Sequence, residues 1–509
     1  MPERATRKRS EKSAEAVVAV QRRRERGRPQ TVTAKGREGP NERESETTVS
    51  LEDDKRQKTA QAELPIQPRG EAPKAERSGE SSTAAQGDER SGTGHLTELM
   101  EKVVEQSNAS AAWKRVKANK GSPGSDGMTL DQAAPYLKEH WPDLREQLLA
   151  GTYQPRPVRR QMIPKSGGGE RELGIPCVLD RMIQQCILQV LQPMIDPTFS
   201  EHSYGFRPGR SAHDAVRAAQ RYIQSGKQWV VDVDLEKFFD RVNHDVLMGK
   251  LASKIGDKRL LGLIRRYLEA GAMADGVVVE RHEGTPQGGP LSPLLANVLL
   301  DEVDKELEQR GHAFARYADD CNVYVRSKRA GERVLQSLRE QYAGLRLRIN
   351  EAKSAVARPW DRKFLGYSFW ITGEREIKRC VAAKALAAMK ERVRQMTSRS
   401  GGRSLESVAK ELRSYLVGWR NYFQLAEKPR VFEGLDGWIR HRLRAIQLKQ
   451  WKRGTTIFDE LRARGMSEDA AKRIAANARS WWKNSSMALN FALPNRLFDK
   501  LGVPRLARR

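Results

Sequence analysis

The chain has 509 residues, 38% of them hydrophobic, and 92 Lys and Arg against 65 Asp and Glu for a formal net charge of +27. That length and apolar content allow several ordinary cores, which excludes a fibrous or wholly unfolded chain, and the charge points to a polyanionic partner whose counterions Lys and Arg would replace. No uninterrupted apolar run is long enough to span a bilayer and no secretory h-region follows Met1, so a soluble, cytoplasmic protein without a membrane partner is expected.

From Met1 to Gly94 there is no aromatic residue, and Arg, Glu, Ser, Gly and Pro dominate. Such a stretch buries too little apolar surface to offset its ordering entropy, so residues 1–94 are expected to be a disordered, mixed-charge tail. Order is expected from about His95, where Leu96, Leu99, Met100, Val103 and Val104 recur at helical spacing. A polar loop over 119–127 leads into a second helical stretch through Leu137, Leu144 and Leu148. Further on, Lys165 and Arg171 flank three glycines, Gly167 to Gly169, in a hairpin that brings two cations to one surface.

Val230, Val231 and Val233 read as a buried strand punctuated by Asp232, Asp234 and Asp240. A carboxylate at the end of such a strand is costly to desolvate unless paired or metal-bound. Phe239 follows; taken alone it reads as core. Gln287 lies in a Pro-Gln-Gly-Gly turn whose glycines let backbone approach a ligand closely, and a helix is expected from Leu291. The apolar stretches 313–317 and 322–325 enclose Asp319 and Asp320, so strand, acidic turn and strand would lift two carboxylates to a hairpin tip. An Asp pair alone is an ordinary solvated turn. Joined by Asp234, it would supply the hard oxygen donors that Mg²⁺ prefers. Two such ions about 4 Å apart suit an in-line phosphoryl displacement.

Beyond Arg379 the chain reads as helical and basic. Leu412, Tyr415, Leu416 and Trp419 form one apolar stripe, and Phe432, Leu435, Trp438, Ile439 and Leu443 form another. Arg420, Arg440, Arg442 and Arg444 are expected to face outward as a duplex track. Trp451-Lys452-Arg453, Trp481-Trp482-Lys483 and Arg505 to Arg509 set aromatics among cations, as stacking and phosphate contact require, though the tryptophans could equally pack a small core. Cys177, Cys186, Cys321 and Cys380 lack the spacing of a structural zinc site and are expected to be reduced thiols.

The order of motifs from Arg159 to Tyr367 resembles the reverse transcriptase encoded by bacterial group II introns. Gly121 to Gly127 is similar to that family's N-terminal extension, and Ile163-Pro164-Lys165 with Arg171 to Pro176 to its fingers. Ser203 to Ser211, Thr285 to Asn297, Tyr317 to Asp320, Asn350 to Ser354 and Phe364 to Tyr367 follow in the family order. Gly418 to Phe423 resembles its maturase motif.

The resemblance implies an α+β right-hand polymerase, with fingers, an antiparallel palm sheet and an α-helical thumb. The implied segments are a tail over 1–94, a helical extension over 95–158, fingers and palm over 159–370, a maturase or thumb region over 379–455, and a basic DNA-binding-like region over 456–509. It implies catalysis at Asp234, Asp319 and Asp320, with these and the Leu235 carbonyl at two Mg²⁺ ions for which Mn²⁺ could substitute. Lys165, Arg171, Phe239 and Gln287 would contact the incoming deoxynucleoside triphosphate, the Phe239 ring excluding a 2′-hydroxyl. Lys353 would support the palm or contact substrate. Arg420, Arg440, Arg442 and Arg444 would bind intron RNA, and DNA target and primer would be further partners.

Many members of that family end in a cysteine-framed nuclease. No cysteine follows Cys380 and His441 is the only later histidine, so the chain is expected to lack it and to prime from existing DNA ends. A bacterial, nucleoid-associated location follows from the same resemblance. Two other functions stay open: a free-standing polymerase recruited to repair or phage defence, and an RNA-binding splicing factor with a relic site. No oligomeric state can be read.

Overall fold

A computed structural model describes residues 98–164, 170–274, 277–279, 283–485 and 487–507. The tail over 1–94, His95, Leu96, Lys165, Gly167 to Gly169, Arg508 and Arg509 lie outside the described residues. Three helices open the described chain: α1 (Leu99–Val103), α2 (Gln106–Ala118) and α3 (Leu130–Leu149). Thr129 and Gln132 close a capping box that starts α3 and satisfies two otherwise orphaned amides. Leu137, Leu144 and Leu148 are buried along one face of it. The loop over 119–127 is docked rather than free. Arg181 donates to the Ser122 carbonyl at 2.5 Å, and Gly124 lies so close to Cys177 that a Cβ would meet its Cα at 2.5 Å.

Then come β1 (Val158–Pro164), β2 (Glu170–Ile175), α4 (Val178–Ile195), α5 (Ala212–Gln224), β3 (Trp229–Val233), α6 (His244–Ala252), α7 (Lys258–Glu269), β4 (Ala272–Ala274) and β5 (Val277–Val279). One sheet has the order β2-β1-β4-β5, with β1 antiparallel to β2 and parallel to β4. The next elements are α8 (Ser292–Gln309), β6 (Ala313–Tyr317), β7 (Asp320–Val325), α9 (Lys328–Gly344) and β8 (Ala355–Ala357). A second sheet, β6-β7-β3-β8, is antiparallel throughout.

Side-chain alternation divides this second sheet between two cores. Val231, Val233, Phe314, Cys321 and Val323 join Ile183 of α4, Leu263 of α7 and Leu299 of α8. On the other face Val230, Ala315 and Tyr324 join a core that continues into the C-terminal region. That region holds a hairpin, β9 (Tyr367–Ile371) and β10 (Ile377–Val381), then α10 (Ala383–Met396), α11 (Leu405–Tyr422), α12 (Pro429–Trp451), α13 (Gly454–Ala463), α14 (Glu468–Ala476), α15 (Trp481–Asn484) and α16 (Asn495–Lys500). An antiparallel sheet backed by helices, followed by a helical region, is the α+β architecture of a polymerase palm with its thumb.

Leu412, Leu416 and Trp419 of α11 are buried, as are Phe432, Leu435, Ile439 and Leu443 of α12. The outward orientation expected for Arg440 and Arg444 is wrong: both are buried, at 1% and 4% exposure. The segment over 489–507 packs beside the apolar stripe of α12, where Arg440 and Arg444 meet Asp499, Leu493 and Asn495 and Asp436 accepts from the Leu506 and Ala507 amides, so this helix is covered on two sides. No helix of the described residues is long and apolar enough to cross a membrane. All four cysteines are free thiols.

Candidate active site

The strand register sets out the acidic groups. β3 and β7 pair Val233 with Cys321 and Asp232 with Asn322, so one step further the same register sets Asp234 opposite Asp320. Tyr317 pairs with Asp320 across the hairpin, leaving Ala318 and Asp319 as a two-residue turn at its tip. Asp234, Asp319 and Asp320 therefore share one end of the sheet. Asp232, Asp234 and Asp320 line a cleft of about 720 Å³ whose lining also includes Lys363 and Lys384.

The charges there are unbalanced. Burial, with Asp232 and Asp319 adding repulsion, pushes the Asp320 carboxyl up to about 8. Burial also raises Asp319, and the Asp234 charge adds to the shift. Asp232 is raised by burial even though Arg362 donates to it at 2.7 Å. Lys353 Nζ stands 3.2 Å from Asp234 Oδ1, a second cation on the cluster beside Arg362. The donors are hard oxygens and their repulsion is the kind a divalent cation relieves, so the chemistry of the set fits Mg²⁺. Among the described residues, however, no three such side chains already converge on a common point.

A buried arginine that the sequence reading did not single out fixes the turn. Arg316, 1% exposed, donates to both oxygens of Asp304 at 2.8 and 2.9 Å, to Asn297 at 3.0 Å, to Ser203 Oγ at 2.8 Å and to the Ala318 carbonyl at 2.9 Å. Ala318 has a φ of +59°, a left-handed conformation that needs such support in a residue with a Cβ. An arginine inside the apolar run Ala-Phe-Ala-Arg-Tyr was the available signal, since a buried cation requires a partner.

Around Phe239, Arg171 and Gln287, main-chain bonds draw three segments together. Thr285 N donates to the Phe239 carbonyl at 2.7 Å, and Gly174 N donates to the Gln287 carbonyl at 2.9 Å. Gly288 has a φ of +129°, and a Cβ there would meet the Gly174 carbonyl oxygen at 2.7 Å, so only glycine fits. The turn with Gln287 thus touches both the strand carrying Arg171 and the segment carrying Phe239. Phe239 is half-buried and edge-on to Phe238 at 5.1 Å between ring centroids. Arg171 is half-buried on β2, opposite Ile163. Leu235 is buried and forms an antiparallel bridge with Ile349.

The thumb arginines divide. Arg440 pairs with Asp436 at 3.1 Å and Asp499 at 2.8 Å. Arg444 donates to the Leu493 carbonyl at 2.9 Å and to Asn495 at 2.6 Å, and burial lowers its guanidinium to about 10. Both tie the C-terminal segment to α12 and present no charged face to a ligand. Arg420 and Arg442 are half-exposed, and Arg442 lies over Trp438 at 5.4 Å.

An antiparallel palm sheet with carboxylates at one strand end and at the tip of the neighbouring hairpin defines a nucleotide-polymerising class of protein. Residues 163–369 match the family Reverse transcriptase (RNA-dependent DNA polymerase), and residues 386–465 match the Group II intron, maturase-specific domain. Protein YkfC of Escherichia coli (strain K12) is 34% identical over 277 residues, which is 46% of this chain and 72% of that protein. The group II intron-encoded protein LtrA of Lactococcus lactis subsp. cremoris is 37% identical over 206 residues, 40% of this chain and 34% of LtrA. The putative COX1/OXI3 intron 1 protein of Saccharomyces cerevisiae is 32% identical over 221 residues, 43% of this chain and 25% of that protein. The chain belongs to the reverse transcriptase family, on the branch that joins this domain to a group II intron maturase domain.

Proposed function

We propose that the chain is a group II intron-encoded RNA-directed DNA polymerase that also acts as a maturase, binding intron RNA to assist splicing and copying it into cDNA during retrohoming. The observation that carries this reading is the union in one chain of a reverse transcriptase match over 163–369 and a maturase match over 386–465, with the carboxylates gathered at the end of β3.

In this reading Asp234, Asp319, Asp320 and the Leu235 carbonyl hold the divalent cations, Mg²⁺ or Mn²⁺. Such ions, when bound, acidify a primer 3′-hydroxyl and balance charge on departing pyrophosphate. The protein's own part is positional. Arg316 holds the Asp319 turn from behind, and Lys353 compensates Asp234. Arg171, Lys165 and Gln287 would bind the deoxynucleoside triphosphate, and the Phe239 ring would stand where a 2′-hydroxyl would otherwise fit. Of the four arginines expected to form the track, Arg420 and Arg442 would meet RNA, Arg442 while also donating to Thr397. We place the protein in a bacterial cytoplasm, a reading supported by its likeness to the Escherichia coli and Lactococcus lactis relatives.

The test is primer extension on an RNA template by the double variant Asp319→Ala, Asp320→Ala. Extension is expected to vanish while RNA affinity stays at the wild-type level. Robust cDNA synthesis by that variant would remove the assignment.

A further inference from the structure

The loop between α4 and α5 carries an aromatic ring that the polymerase mechanism leaves without a task. Phe206 is 42% exposed and has a φ of +61°, a backbone conformation that a bulky residue adopts only when its surroundings impose it. Those surroundings are rigid. Arg207, buried beside it, donates to the Asp196 carboxylate at 3.0 Å and to the carbonyls of Asp196, Ser200 and Ser203 at 2.8, 2.6 and 3.1 Å. On the other side, Gly205 is pressed so hard against the acidic turn that a Cβ would stand 2.3 Å from the Ala318 nitrogen. The Gly205 carbonyl accepts from Asn297 at 2.9 Å, and Tyr204 N donates to the Arg316 carbonyl at 2.8 Å.

One flank of Phe206 is therefore clamped to the acidic turn and the other to the stretch that leaves α4, and the strained residue between them leaves its ring partly in solvent. The ring centroid lies 6.4 Å from that of Tyr317, at an interplanar angle of 44°. Tyr317 stands two residues before Asp319, so the ring borders the place where a primer end must come to react. Backbone strain maintained to keep an apolar ring in water has a use when a flat apolar partner arrives. A nucleobase with its sugar is that partner.

We infer that Phe206 is a packing platform for the terminal base pair of the primer–template duplex, holding the reacting end in register with the acidic turn. This rests on the polymerase reading above and adds the residue that recognises the duplex end. Its ligand is the face of a base or deoxyribose, which makes the contact indifferent to sequence.

The experiment measures binding of the full-length protein to a labelled DNA-primed RNA duplex with a recessed 3′ end, by fluorescence anisotropy, alongside the same RNA single-stranded. Phe206→Ala is expected to weaken duplex binding about five-fold or more, the effect of removing a base-stacking ring, with single-stranded binding unchanged. Phe206→Trp is expected to bind the duplex as wild type does. Phe206→Gly removes ring and strain together, so it is expected to unfold at a higher temperature than Phe206→Ala yet to bind the duplex as weakly. Three results overturn the inference: Phe206→Ala binding the duplex as tightly as wild type, Phe206→Trp failing as badly as Phe206→Ala, or equal losses on duplex and single strand. Because binding is the readout, these results are separable from a wild-type protein that binds duplex but extends no primer, which would instead defeat the polymerase reading.

Discussion

Arg316 carries a burden out of proportion to its place in the sequence. It is fully enclosed, and so is Asp304, 0% exposed, which meets it through a two-pronged contact from α8. Replacing one partner of such a pair leaves the other charge buried without compensation, a loss of about 3–5 kcal/mol. Asp304→Asn is accordingly expected to lower unfolding free energy by that amount in urea titration. Primer extension should fall as well, because the guanidinium that holds the Ala318 carbonyl is then free to move. A variant with wild-type stability would show that the pair contributes nothing to the fold. Asp304 was not legible in the sequence, where it is one acid in a helix rich in acids. Its role appears only when α8 packs behind β6.

Among the elements, α4 joins the N-terminal helices to the palm through a carboxylate. Asp180 accepts from the Tyr153 hydroxyl at 2.9 Å and from Arg156 N at 3.3 Å. Burial nevertheless dominates these bonds and lifts the carboxyl from 3.8 to about 6. The folded state thus keeps a proton that the unfolded chain has already released. Stability from this group is present below about pH 4, declines as pH rises through about 6, and is lost above, a difference of about 3 kcal/mol. Asp180→Asn keeps an acceptor for Tyr153 and cannot ionise. Its stability relative to wild type should therefore grow between pH 4 and pH 7 in urea unfolding, and a difference constant with pH would contradict the shift. The elements themselves were largely legible. The valines of β3 and the apolar runs flanking the acidic turn carry their strand signal locally, and the stripes of α11 and α12 repeat at helical period. Arg440 and Arg444 misled because their partners, Asp499, Leu493 and Asn495, lie some fifty residues further along the chain. A helix reads as one-sided when the segment that covers its second side is distant in sequence.

At the scale of the whole molecule, the palm sheet is shared property. One face belongs to a core with the N-terminal helices, and the other to a core that includes Leu412, Leu416, Ile439 and Leu443 of the helical region matching the maturase domain. Polar ties reinforce that second interface: His213 contacts the Tyr422 carbonyl at 2.6 Å, and the Tyr422 hydroxyl donates to the Leu365 carbonyl at 2.8 Å. The two parts are therefore coupled in folding. A chain ending at Val381 would uncover Tyr367 and its apolar neighbours, against which Tyr422 and Phe423 pack in the intact protein. A contiguous apolar surface of that kind drives association in monomeric proteins. The truncated chain is expected to aggregate, or to bind a hydrophobic dye and unfold without cooperativity, and to extend no primer. Size-exclusion chromatography and thermal unfolding of the fragment decide the matter. A monodisperse fragment melting with the full-length protein would mean that the palm is complete without the helices that cover it, and that copying and RNA binding reside in separable modules.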